Sequence, residues 1–153
     1  MLSQTVEYAL RAMMHLARLD GAPVNCQTIA AETRVPQGYL SKVMRDLVVA
    51  GLVASFRGPN GGFILAKPPE GITILDVVNA VDPIMRIHKC PMGNPQHTSL
   101  CSLHQRLDDA LAKIERTFRD ATLAEMLADD GTEGRCTARV PNAKPAPGSR
   151  GED

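Results

Sequence analysis

Cys90, Cys101 and His104 are the residues of this 153-residue chain whose types and spacing could do chemistry. Ten residues separate the two cysteines, and His104 follows the second by three. Two thiolates and an imidazole so grouped suit a soft metal or an iron–sulfur cluster. The same donors suit zinc, and the two thiols alone suit a reversible disulfide. His97, between the cysteines, and His88, just before them, are further imidazoles that could compete for a ligand role. The competing readings are plain: two loop thiols with no role, a solvated His97, and a His104 that merely opens a helix. Cys26 falls at the start of a short helix, where filling a small packing space is the simpler job. Cys136 falls in the tail and carries no predicted role.

The elements that must position these residues follow from periodicity. Val6, Ala9, Leu10, Met13 and Ala17 recur at helical spacing over 4–19, and Gly21-Ala22-Pro23 ends that helix. Asn25 can cap a second helix over 26–33, with Ile29 and Ala30 inward. After Arg34-Val35-Pro36, a third helix over 37–50 turns Leu40, Val43, Met44 and Leu47 inward and stops at Gly51. Two β-prone runs, 52–56 and 63–66, flank the glycine-rich turn 57–62. The order predicts a mainly α chain: a winged helix-turn-helix with a two-stranded wing, occupying 1–82. Thr73 and Asp76 form a capping-box pattern opening a helix to about 81, which Pro83 closes. A sensor loop over 83–102 follows. Leu103, Leu107, Leu111, Ile114 and Phe118 then mark one apolar stripe on a long C-terminal helix within 103–130. The tail, 131–153, is rich in Gly, Pro and charge and is expected to be disordered.

Composition narrows the class. The hydrophobic fraction of 44% and charged fraction of 22% are those of a soluble globular domain. No apolar run approaches the roughly 20 residues that span a bilayer. The first residues lack the pattern of a signal peptide, so the cytoplasm is the expected location. Four cysteines are too few for a disulfide framework. Net charge is zero, but five basic residues face one acidic residue over 34–67, whereas 102–133 holds four basic and eight acidic. A locally positive head suits a phosphate backbone. No nucleophile–base grouping or phosphate loop argues for an enzyme.

In a helix-turn-helix the second helix enters the major groove by its N-terminal residues. Here those are Pro36, Gln37, Gly38, Tyr39, Ser41 and Lys42. Gln37 can pair with an adenine edge, and Ser41 tolerates either partner type. Gly38 lets a backbone come close, while Tyr39, Lys42 and Arg45 suit phosphates. Arg57, beside Gly58 and Pro59 at the wing tip, has the reach to enter a minor groove. The structural alternatives are a solvated face for Lys42 and Arg45, and packing on the first helix for Tyr39. The apolar stripe is too extensive to leave in water, and pairing two copies would set two recognition helices about one DNA turn apart on a palindromic operator.

Tyr8-Ala9-Leu10-Arg11-Ala12-Met13, Tyr39-Leu40, Gly51-Leu52-Val53 and Arg57-Gly58-Pro59-Asn60-Gly61-Gly62-Phe63 resemble the IscR/NsrR-type bacterial regulators over about 1–127. The resemblance implies a homodimeric winged-helix transcription factor, usually a repressor, that binds double-stranded DNA. It also implies a [2Fe–2S] or [4Fe–4S] cluster between head and dimer helix, of which [2Fe–2S] is favoured. A metal-free repressor switched by thiol oxidation or a protein partner is the alternative. Cluster-binding members typically present three cysteines; Cys90 and Cys101 match the first and last, and Gln96 or His97 lies near the middle one. His104 matches a histidine ligand of some relatives. Glu7 from the partner subunit matches an acidic ligand of others, against the simpler reading of an ion pair with Arg11. Pro36 and Ser41 depart from the residues relatives carry there.

Overall fold

The computed structural model describes residues 2–19, 21–91 and 99–133. Helix α1 (Gln4–Ala17) starts where the Ser3 hydroxyl accepts the Val6 N–H at 3.4 Å. Its fully buried residues are Val6, Ala9, Ala12, Met13 and Leu16, one stripe at 100° per residue. Leu10 and Ala17, expected on that face, pack on its shoulder, because they fall about one residue's turn to the side. Helix α2 (Cys26–Thr33) is capped by Asn25, whose Oδ1 accepts the Thr28 N–H at 2.8 Å. It closes at Arg34 with φ of 56°, a left-handed conformation in which the turn into the next helix is made.

Helix α3 (Gln37–Val49) buries Leu40, Val43, Met44 and Leu47, as its spacing predicts. It ends in a Schellman closure: the Leu52 N–H reaches the Leu47 carbonyl and the Gly51 N–H the Val48 carbonyl, both at 3.0 Å. Gly51 takes φ of 71°, where a side chain would be strained. Strands β1 (Val53–Phe56) and β2 (Gly62–Leu65) pair antiparallel, Val53 opposite Leu65 and Phe56 opposite Gly62. Gly62 is needed for a close approach. A Cβ there would lie 2.5 Å from the Val24 backbone, to which Phe63 makes two hydrogen bonds of 2.8 and 3.1 Å. The wing is thereby tied to the segment before α2.

After a 3-10 turn at Pro69–Gly71, helix α4 (Ile74–Val81) begins with the full capping box. Asp76 N–H donates to Thr73 Oγ1 at 3.1 Å, and Thr73 N–H donates to Asp76 Oδ2 at 2.9 Å.

The C-terminal part departs from one continuous helix over 103–130. Helix α5 (Ser102–Asp120) ends where Ala121 turns extended, with φ of −102° and ψ of 120°. Thr122 and Glu125 then form a second capping box that opens α6 (Leu123–Glu133). The break returns the chain to the head. Leu123 is fully buried, its N–H donates to the Ile72 carbonyl at 2.9 Å, and Ile74 N–H donates to the Ala121 carbonyl at 2.9 Å. Leu123 thus joins Met13, Ile29, Leu40, Met44, Leu47 and Ile72 in one core. Helix α6 also carries regular structure two residues past the expected start of the tail; 134–153 lies outside the described residues.

Candidate functional site

Cys90 lies in the segment between α4 and α5, whose described residues form neither helix nor strand. Cys101 is the N-cap residue of α5, and His104 sits on its first turn. The three come together. Cys101 Sγ is 3.2 Å and Cys90 Sγ 3.7 Å from His104 Nδ1, and the three donor atoms all lie within 4.8 Å of one another. Each residue is half-buried. The N–H groups at the start of α5, that of His104 foremost, hold the Cys101 thiol below its ordinary range against the opposing effect of desolvation. A thiol at a helix N-terminus is a better ligand and nucleophile for that reason.

By the chemistry of its donors this group fits three positions of a thiolate–imidazole site. Of the other sequence candidates, His97 lies outside the described residues. Glu7 is exposed and accepts two hydrogen bonds from Arg11, at 2.6 and 3.2 Å, so within one chain it makes the ion pair. His88 is not among the converging donors.

The head presents a second surface. Pro36, Gln37, Gly38, Tyr39, Ser41, Lys42 and Arg45 are all exposed, at the N-terminal end of α3 and clear of its buried stripe. Ser41 Oγ donates to the Gln37 carbonyl at 3.0 Å and touches Cys26 Sγ at 3.7 Å. Lys42 pairs loosely with Asp46 at 3.6 Å. Tyr39 is 62% exposed yet rests its ring against Tyr8, with centroids 6.1 Å apart. A Cβ on Gly38 would meet nothing within 4 Å, so packing inside the chain does not demand glycine there. Arg57, Gly58 and Pro59 are exposed at the wing tip.

A family model described as an iron-dependent transcriptional regulator, Rrf2, matches residues 2–129. The chain belongs to the Rrf2 family. A protein of Aquifex aeolicus (strain VF5) described as an HTH-type transcriptional regulator is 33% identical over 134 residues, covering 82% of this chain and 90% of that one. Among solved structures, the T. potens IscR superposes with a TM-score of 0.73 at 26% identity, covering 90% of this chain and 93% of that one. CymR of B. subtilis, a global cysteine regulator, superposes with a TM-score of 0.71, covering 84% of this chain and 97% of that one. At 24% identity that likeness bears on the fold alone. The winged-helix fold and the DNA-binding regulator class therefore hold for this chain, and its relatives are described as transcriptional regulators rather than enzymes.

This Rrf2 chain also uses residues that the sequence pattern did not single out. Arg86 grips Asp108 with both arms of its guanidinium, Nε to Oδ1 at 2.7 Å and Nη2 to Oδ2 at 2.6 Å. Its Nη1 donates to Glu115 at 3.0 Å, and the Ile87 N–H donates to Asp108 at 2.9 Å. At 8% exposure, Asp108 is the only buried charged residue among those described. These acids were legible only as members of an acidic segment. The available signal was their placement: Asp108 lies one helical turn after His104, and Glu115 two turns further on.

On the adjoining face of α5, the Rrf2 chain leaves much of its apolar stripe exposed. Leu103, Leu107 and Ile114 are 62%, 48% and 41% exposed, and Leu111 and Phe118 half-buried. Leu111, Ile114 and Phe118 line an open groove of about 480 Å³ with Leu2, Val6 and Met85. No described helix is long and apolar enough to cross a membrane.

Proposed function

We propose that this Rrf2 protein is a homodimeric repressor whose affinity for a palindromic operator responds to an iron–sulfur cluster, [2Fe–2S] favoured, held by Cys90, Cys101 and His104. The convergence of two thiols and an imidazole at the root of α5 carries the reading. A cluster there would supply a redox-sensitive charged centre. Everything else is work of the chain. Cys101 enters ligation readily because the α5 N-terminus already favours its thiolate. His104 and Cys101 report directly to α5 because both belong to its first turn. Cys90 joins that helix to the segment leaving α4, so occupancy fixes how the head sits on α5. If α5 pairs with its twofold mate, the spacing of the two heads follows, and operator affinity with it. Glu7 of the partner subunit or His97 completes the ligand set.

On DNA, Gln37 and Ser41 read base edges, and Gly38 lets the α3 backbone approach. Tyr39, Lys42 and Arg45 hold phosphates, with Pro36 setting the start of the helix. Arg57, presented by Gly58 and Pro59, enters the minor groove. Dimerisation uses Leu103, Leu107, Leu111, Ile114 and Phe118. Anaerobic purification with an absorption spectrum, iron and sulfide assay, and operator binding before and after reconstitution tests the reading. Visible absorbance with about one cluster per chain, and a change of tenfold or more in operator affinity on its loss, is expected. A colourless reconstituted protein with unchanged operator affinity overturns it.

A second reading is favoured by the same sulfur atoms, which lie within 4.8 Å of each other. A metal-free repressor would be switched by their oxidation to a disulfide. Serine at Cys90 and Cys101 separates the two: loss of colour marks the cluster, and loss of a faster-migrating oxidised band on non-reducing gels marks the thiol switch.

A further inference from the structure

We propose that Arg86 and Asp108 form a latch that presents Cys90 to Cys101 and His104, making them positioning residues for the ligand site. The inference rests on the ligand reading of those three residues. The segment carrying Cys90 forms no helix or strand among its described residues, so no backbone ladder fixes its course. Side chains do so instead. The guanidinium fork occupies both oxygens of Asp108, and its remaining arm reaches Glu115 seven residues along α5. Arg86 therefore lies flat across two turns of that helix. The Ile87 N–H on the same carboxylate pins the main chain as well as the side chain.

Position along the chain gives the latch its purpose. Asp108 is one turn after His104 on α5, and Ile87 is three residues before Cys90. The segment carrying Cys90 and helix α5 are thus clamped immediately beside the place where their donors meet. With the latch closed, Cys90 hangs on a tether of three residues from Ile87. With it open, the tether runs eight residues from Asp82 at the end of α4. Effective concentration falls roughly as the −3/2 power of tether length, so opening the latch dilutes the Cys90 thiol at the site by about three- to fourfold, the ten residues that join Cys90 to Cys101 limiting the loss. A carboxylate as buried as Asp108 also cannot be left unpaired without cost, which keeps the segment on α5 before any ligand arrives. Arg86 holds the Asp108 carboxyl down to about 2, so the latch stays charged at every pH at which the site would work.

The test uses the full-length reduced chain and two readouts. In a glutathione redox buffer, Cys90 and Cys101 pass two electrons and two protons to glutathione disulfide, which leaves as two glutathione molecules. The fraction bridged, located by peptide mapping, gives the effective concentration of the pair. Anaerobic titration with cobalt(II) alone, followed by its thiolate charge-transfer absorption, reads ligation. Asp108→Asn and Arg86→Lys should each lower the effective concentration by more than twofold, toward fourfold, with Glu115→Gln smaller in effect. Arg86→Lys keeps the charge but not the fork, so it should fall between wild type and Asp108→Asn. Far-UV circular dichroism restricts the comparison to folded variants; should Asp108→Asn not fold, Arg86→Lys decides by the same twofold threshold. A folded Asp108→Asn or Arg86→Lys variant whose effective concentration stays within twofold of wild type overturns the latch, whatever cobalt does. A wild-type chain that ignores cobalt while the variants lose effective concentration overturns the metal reading and supports the latch.

Discussion

Gly38 sits exposed in the first turn of α3, where glycine costs a helix up to about 1 kcal/mol relative to alanine. Nothing within 4 Å would obstruct a methyl group there, so the fold derives no benefit from that cost. On the proposed reading, its use lies in the approach of DNA to α3. Gly38→Ala should therefore raise unfolding stability by about 0.5–1 kcal/mol in urea melts while weakening operator binding severalfold. Unchanged operator affinity would remove Gly38 from the interface. Gly62 is the opposite case: a Cβ there would strike the Val24 backbone, so that glycine is explained within the chain. From sequence the two glycines look alike, because neighbours brought from elsewhere in the fold decide which is structural. Tyr39 shows the same ambiguity in one side chain: it rests on Tyr8 and still leaves more than half its surface to a partner.

Among the elements, local signals did well where they were self-contained. The capping box at Thr73, the Asn25 cap and the Gly51 stop each involve atoms within a few residues, and each forms as the pattern predicts. The break between α5 and α6 was equally local. Thr122-Leu123-Ala124-Glu125 has the capping-box spacing, but it was overshadowed by apolar periodicity continuing on both sides. Removing that cap by Thr122→Ala should cost about 1 kcal/mol of global stability, because α6 supplies Leu123 to the core. A melt shifted by less than about 0.3 kcal/mol would mean that tertiary contacts alone hold the α5–α6 corner. The register of α1 was harder to read. Ala12 and Leu16 are fully buried while Leu10 and Ala17 pack on the core only in part, and small shifts of a stripe around a helix are decided by the neighbours it meets.

For the whole molecule, the decisive feature is that α5 has two different working sides. One carries Leu103, Leu107 and Ile114 exposed to solvent; the other carries His104, Asp108 and Glu115 against the segment leaving α4. An apolar side left open on a single chain argues for a second copy. Ile114→Glu should give a monomer in analytical ultracentrifugation at micromolar concentration and reduce affinity for a two-half-site operator by about 100-fold. Being 41% exposed, it should shift the head's own stability by only about 0.5 kcal/mol. A variant that remains dimeric would place the interface elsewhere. Sequence alone determined the winged head, the three ligand candidates and the apolar stripe, because turn glycines, caps and helical periods act over a few residues and leave a pattern in the chain. Tertiary structure alone decided that Cys90 meets Cys101 and His104 and that Arg86 closes on Asp108. Those meetings depend on where a segment without helix or strand crosses a helix, and no residue spacing encodes that crossing.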